Sequence, residues 1–205
     1  MSSLRRAIAV LAGVCLSVLA LGGLADAQSQ PAGATIPQAQ PTFTLQQHEK
    51  VQQLRGKIHR KRKSAWYWED VMLQNHTGTR SSLDGSSMNV LYLKKRVKVW
   101  HERLKRAKRR ALGVPHKGLW LCIHRQEGSW TDNASNNPHW GGLQMGIWFM
   151  NTYAPELFAR LGKANKWPPL TQMWVAERAY KREGYSRAWL VGQWVPTASR
   201  CLSFA

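Results

Sequence analysis

Apolar residues recur three and four positions apart in two long stretches of the first half of the chain. Val51, Leu54, Ile58, Ala65, Trp68 and Met72 hold this spacing, with a break at Lys61. Val90, Leu93, Val97, Trp100, Leu104, Ala107 and Ala111 then hold it for three heptads. That period places each set on one face of a helix, and Gly113 and Pro115 stop the second one. The segment between them, QNHTGTRSSLDGSSMN, is polar throughout and predicts a loop. The pattern therefore predicts an antiparallel helical pair, packed on itself or on the domain that follows. A narrow stripe containing Trp and Ala is also the kind of seam that dimerises; the expectation here is a monomer.

Beyond Gly118 the apolar runs shorten, and eight of the eleven tryptophans lie there. The spacing predicts a helix over 117–127, a Gly/Asn/Pro-rich turn region over 128–142, and a short hairpin around 139–146. A helix over 147–161 and another, capped by Thr171 and ending before Gly184, follow. The tail, 185–205, reads as irregular. The fold class is mainly α.

The region ahead of the helices carries addresses rather than core. Arg5 and Arg6 precede a nearly unbroken apolar run, and Ala25-Asp26-Ala27 fits a small-x-small cleavage site, so 1–27 reads as a signal peptide. The run is long enough that an uncleaved membrane anchor is the alternative. Residues 28–41, QSQPAGATIPQAQP, read as a flexible linker. A basic amphipathic helical region over 42–115 and a small domain over 116–205 complete the organisation. The protein is expected to be secreted, extracellular or cell-wall associated.

Charge sharpens the choice of partner. The chain carries a formal net charge of +19, and residues 42–112 hold 18 Lys and Arg against 5 Asp and Glu. Such a surface concentrates polyanions. Export turns the expectation away from nucleic acid and towards anionic cell-wall polymers held by the basic helices. Cys15 lies in the leader, which leaves Cys122 and Cys201 as an even pair in an oxidising compartment, best read as one disulfide. Its loop is worth roughly 4 kcal/mol in the chain-entropy model. The competing reading, a metal site of Cys122, His124 and His116, lacks a fourth ligand, and no metal or organic cofactor is expected.

Against so much positive charge, Glu127 is the carboxylate of interest. It ends the helix of LCIHRQEGSW, just before Gly128. A helix C-terminus and apolar neighbours both disfavour a carboxylate's charge, which suits a general acid. The plain alternative is an ion pair with Arg125 or another cation.

Taken in order, GLWLCIHRQEGSW, NPHWGGLQMG, QMWVAERAY and Cys201 resemble the catalytic domain of the resuscitation-promoting factors and allied transglycosylase-like proteins of actinobacteria. The matching residues are Trp120, Glu127, Gly141, Gly142, Leu143, Gln144, Val175, Ala176, Glu177 and Cys201, spread over roughly 118–201. The family usually places Cys directly before the catalytic Glu; here that position is Gln126, and Cys122 lies about one turn earlier.

The resemblance implies an α+β lysozyme-like fold and cleavage of the N-acetylmuramic acid–N-acetylglucosamine β-1,4 bond of peptidoglycan. The enzyme would be a lytic transglycosylase or muramidase with Glu127 as its single general acid/base. Gln144, Gly141 and Gly142 are the expected substrate contacts, with Trp130 and Trp140 as platforms for sugar faces. Trp120, Trp148, Trp174, Trp189 and Trp194 are expected in the core. Glu177 reads as a structural ion-pair partner, and Asp132 as a surface residue of a polar turn. The alternatives are a non-catalytic wall-binding or signalling module of the same fold, and a basic nucleic-acid or membrane-surface binder.

Overall fold

The computed structural model describes residues 44–78, 81–133 and 138–205; the leader and the linker lie outside the described residues. Helix α1 (Leu45–Val71) opens on a capping box. The Thr44 hydroxyl accepts from the Gln47 backbone N–H at 3.3 Å, and the Gln47 side chain accepts from the Thr44 N–H at 3.0 Å, satisfying donors that a helix start leaves over. The helix runs through Lys61 without a break, because Arg62 takes the next place on the buried face. A single helical turn, α2 (Leu83–Ser86), stands inside the expected loop, and α3 (Val90–Leu112) follows, its first turn capped by Asn89.

The two long helices run parallel, not antiparallel as the pattern predicts. Arg55 donates to the Ser87 carbonyl at 3.0 Å, Lys61 meets His101 at 3.2 Å, the Trp66 and Trp100 rings lie 6.1 Å apart, and Val71 and Met72 pack on Ala111. Partners rise together along both helices. The cause is the connection over 72–89, which at roughly 3.3 Å per residue can reach ~60 Å, more than the ~40 Å length of α1. It returns along the pair rather than turning at its end.

Buried ion pairs fasten this return. Asp84 on α2 takes Arg96 Nε at 2.6 Å and Nη2 at 2.9 Å, with Trp100 Nε1 at 3.5 Å. Burial pushes the Asp84 carboxyl up, but the Arg96 guanidinium outweighs it and holds it below the usual carboxylate range. Glu69 accepts from the Thr77 backbone at 3.0 Å and its hydroxyl at 2.6 Å, and pairs with Arg103 at 3.4 Å. With Asp70 paired to His76 at 3.0 Å, three of the region's five acids are spent internally, leaving the exposed faces strongly basic.

Both long helices deliver their C-terminal ends to the rest of the molecule. There the Trp174 indole donates to the Ala111 carbonyl at 2.9 Å, and Arg178 donates to the Leu73 carbonyl at 2.6 Å. Burial pushes the Arg178 guanidinium below its usual value. Helix α4 (Lys117–Glu127) follows, then the ribbon β1 (His139–Trp140) and β2 (Met145–Gly146), antiparallel with His139 opposite Gly146.

The expected helix over 147–161 is two, α5 (Ile147–Tyr153) and α6 (Pro155–Leu161). Pro155 has no N–H to continue the first and suits the start of the second. Helix α7 (Pro169–Arg182) begins two residues ahead of Thr171, which is buried within it. The tail is not irregular: α8 (Arg187–Gln193), capped by Ser186, and α9 (Thr197–Cys201) lead to a final 3-10 turn, Leu202–Phe204.

The core of this half packs Leu119, Trp120 and Ile123 of α4 against Val175, Ala176 and Ala179 of α7, with Met150, Leu190 and Ala198 around them. The protein is mainly helical, with one two-stranded ribbon among the described residues. No helix among them is long and apolar enough to cross a membrane.

Candidate functional site

Helix α4 is held at its start and at its middle. At its start His116 adopts a left-handed backbone, φ 48°, and its Nδ1 lies 3.1 Å from Glu177 Oε2. The same oxygen accepts from Trp120 Nε1 at 3.1 Å, so Glu177 sits buried as an acceptor between α4 and α7. At its midpoint the helix is tied to α9 by the Cys122–Cys201 disulfide. That bond removes Cys122 from the metal-site alternative. Gln126 lays its Nε2 over the bridge, 3.3 Å from Cys201 Sγ and 3.7 Å from Cys122 Sγ.

Glu127 is the last residue of α4 and is partly exposed. Among the described residues its carboxyl makes no hydrogen bond or ion pair, to Arg125 or any other cation. Gly128 turns the chain with φ 143°, a conformation that L side chains rarely adopt. A Cβ there would come within 2.9 Å of Asp132 Oδ2. The Asp132 carboxylate therefore lies against the residue that follows Glu127. Far from a solvated surface group, Asp132 is half-buried and accepts from Gln144 Nε2 at 2.9 Å, while its backbone carbonyl accepts from Gly141 N–H at 3.0 Å. Gln144, at φ 46°, also donates to the Gly141 carbonyl at 3.0 Å. The turn after α4 and the Gly-Gly-Leu-Gln turn are thereby clipped together beside Glu127.

A second clamp lies beneath. Gln172 of α7 is 0 % exposed, and its Oε1 accepts from Gly142 N–H at 2.9 Å. Its Nε2 donates to the carbonyls of Trp130 at 2.9 Å and Trp167 at 3.0 Å. Residue type alone did not single out this side chain, because a Gln near a helix start ordinarily faces water. His124 stacks on Trp130 with ring centroids 3.8 Å apart and donates from Nδ1 to the Gly142 carbonyl at 3.3 Å.

The glycines at 141 and 142 serve this packing. A Cβ on Gly141 would run into Gln172, and one on Gly142 into His124 and Trp130. The space their missing side chains leave is filled by protein, not left open to a glycan as expected.

The expected platforms fare differently. Trp130 is half-buried, with one face against His124. Trp140 is a core residue, 7 % exposed, and Lys163 Nζ stands 3.9 Å from its ring centroid, so it offers no free face. Trp120 and Trp194 are buried and Trp174 and Trp189 partly so, whereas Trp148, expected in the core, is 62 % exposed. Tyr153 is buried and donates to Glu183 Oε1 at 2.8 Å; burial and that carboxylate push its phenol up to about 12. The structure thus brings Glu127, Asp132, Gln144, Gly141, Gly142 and Trp130 together and sets Trp140 behind them. Comparison with protein-family models, curated proteins and solved structures finds no match for this chain.

Proposed function

We propose that residues 116–205 form a lysozyme-like domain that cleaves peptidoglycan glycan strands at the N-acetylmuramic acid–N-acetylglucosamine β-1,4 bond. The observation that carries this reading is Glu127: a carboxyl with no hydrogen bond or ion pair among the described residues, at the end of a cross-linked helix, beside a turn held by Asp132 and Gln144. In the reaction the protonated carboxyl delivers its proton to the glycosidic oxygen as that bond breaks at the muramic acid anomeric carbon. The carboxylate then takes the proton of the sugar's own hydroxyl as that oxygen closes the 1,6-anhydro ring, or of water in a hydrolase. The nearness of the Asp132 carboxylate to Gly128 supports a hydrolytic branch, in which it would assist water, as second reading. On this proposal the exposed basic faces of α1 and α3 hold the exported protein on anionic wall polymers.

Mass spectrometry of soluble products from peptidoglycan, treated with the purified protein or its Glu127→Gln variant, tests the reading. Anhydro-muropeptides from the unaltered protein alone are the expected result, and reducing-end muropeptides select the hydrolase. Products from neither protein, with the disulfide intact, overturn the enzyme in favour of a non-catalytic wall-binding module.

A further inference from the structure

One aromatic side chain near the site is left in solvent where core packing would have been expected to take it. Trp148, at the second position of α5, is 62 % exposed and touches Tyr153 edge to face with centroids 6.0 Å apart. It borders a cleft of about 150 Å³ whose other walls include His139, Gln144, Phe149, Gln193 and Trp194. Trp194 is fixed there, its indole donating to the Leu143 carbonyl at 2.7 Å. The His139 ring lies over β2, where a Cβ on the opposing Gly146 would sit 3.4 Å from its Cδ2.

From these observations we infer that this cleft is a subsite for one N-acetylated pyranose of the glycan strand, with Trp148 as its stacking platform. The inference rests on the reading of Glu127 given above. Three features support it. The cleft is well below the ~300 Å³ at which pockets for whole small molecules begin, so it suits one ring of a polymer whose other units lie outside. Its lining joins an exposed indole face to the exposed Gln193 amide, the pairing that a sugar's apolar face and its hydroxyl and acetamido groups require. Gln144 also belongs to both places: it lines the cleft, and its Nε2 would stand 3.6 Å from a Cβ on Gly128, the residue after Glu127. A strand bound over Trp148 is therefore led past Gln144 to the acid. Trp148 binds substrate here without taking part in proton transfer, and it takes over the platform role that the buried Trp140 cannot fill.

Initial rates of muropeptide release, measured against peptidoglycan concentration for the full-length protein and its Trp148→Ala and Trp148→Phe variants, test the subsite. Trp148→Ala is expected to raise the half-saturating concentration about five- to tenfold, the range of an aromatic stacking contact. The rate at saturation and the melting temperature should stay near those of the parent. Trp148→Phe, which keeps a flat face, should recover most of the loss. A half-saturating concentration within about twofold of the parent in Trp148→Ala overturns the subsite while leaving the enzyme standing. No release by the parent protein removes the enzyme and the subsite together.

Discussion

Replacing Gln172 by Leu tests whether the buried amide beneath the Gly-Gly-Leu-Gln turn holds the site together. Leucine fills nearly the same volume and keeps the helix, so the perturbation is confined to polar atoms. Three hydrogen bonds disappear, and they leave behind the Gly142 N–H and the carbonyls of Trp130 and Trp167. A buried polar group without a partner costs about 1–3 kcal/mol. The Trp130 carbonyl is partly accessible and can be hydrated, whereas the other two bonds are buried. The expected loss is therefore about 3–5 kcal/mol, a large part of the ~5–15 kcal/mol available to a domain. Urea unfolding followed by tryptophan fluorescence reads this directly: at a slope of about 1–3 kcal/mol/M the midpoint should fall by roughly 2 M with little change in slope. Cleavage should fall as well, since Gly142 and Trp130 are both released. A loss under about 1 kcal/mol would refute the clamp and show that the turn holds its shape through Asp132 and Gln144 alone.

Two further predictions concern charge. The Tyr153 phenol titrates near 12 in the folded protein against 10.0 when unperturbed. Its contribution is full below pH 10 and is lost as pH rises towards 12, up to about 2–3 kcal/mol; denaturant midpoints across this window should fall less steeply in Tyr153→Phe than in the parent. Asp84→Ala leaves the Arg96 guanidinium partly buried without its carboxylate and should cost about 3–5 kcal/mol at pH 7. Because the Asp84 carboxyl is held below its ordinary value of 3.8, that contribution is present above this pH and fades as the pH falls below it; thermal melts of parent and variant should accordingly converge in acid.

Periodicity carried the helices well where one face meets one core. The stripe from Val90 to Ala111 marks α3, and the 117–127 segment, stopped by Gly128, coincides with α4. The hairpin around 139–146 and the pairing of Cys122 with Cys201 were also legible, the first from its turn residues and the second from parity. Direction was not. A polar connection says where helices stop but not how far the chain travels before the next begins, and the anchors of that path, Asp84 and Glu69, look like ordinary surface acids until Arg96 and Arg103 bury them. The break at Pro155 and the Ser186 cap were visible signals outweighed by apolar runs. In the candidate site, residue types pointed to Glu127 and Gln144. The burial of Trp140 and the exposure of Trp148 depend on how a two-residue strand and a two-turn helix meet the core, and elements so short have no period to read.

The distance in sequence between α4 and its partner α9 also sets a time. The linked cysteines are separated by 79 residues, and ribosomes add roughly 5–20 residues per second. The surface of α4 that α9 covers therefore waits roughly 4–16 seconds after its own synthesis for its mate to exist. Contacts with α7 come earlier, but the segment that carries Cys201 comes later. The flank of α4 that bears Cys122 is thus among the last surfaces of this domain for which a partner exists.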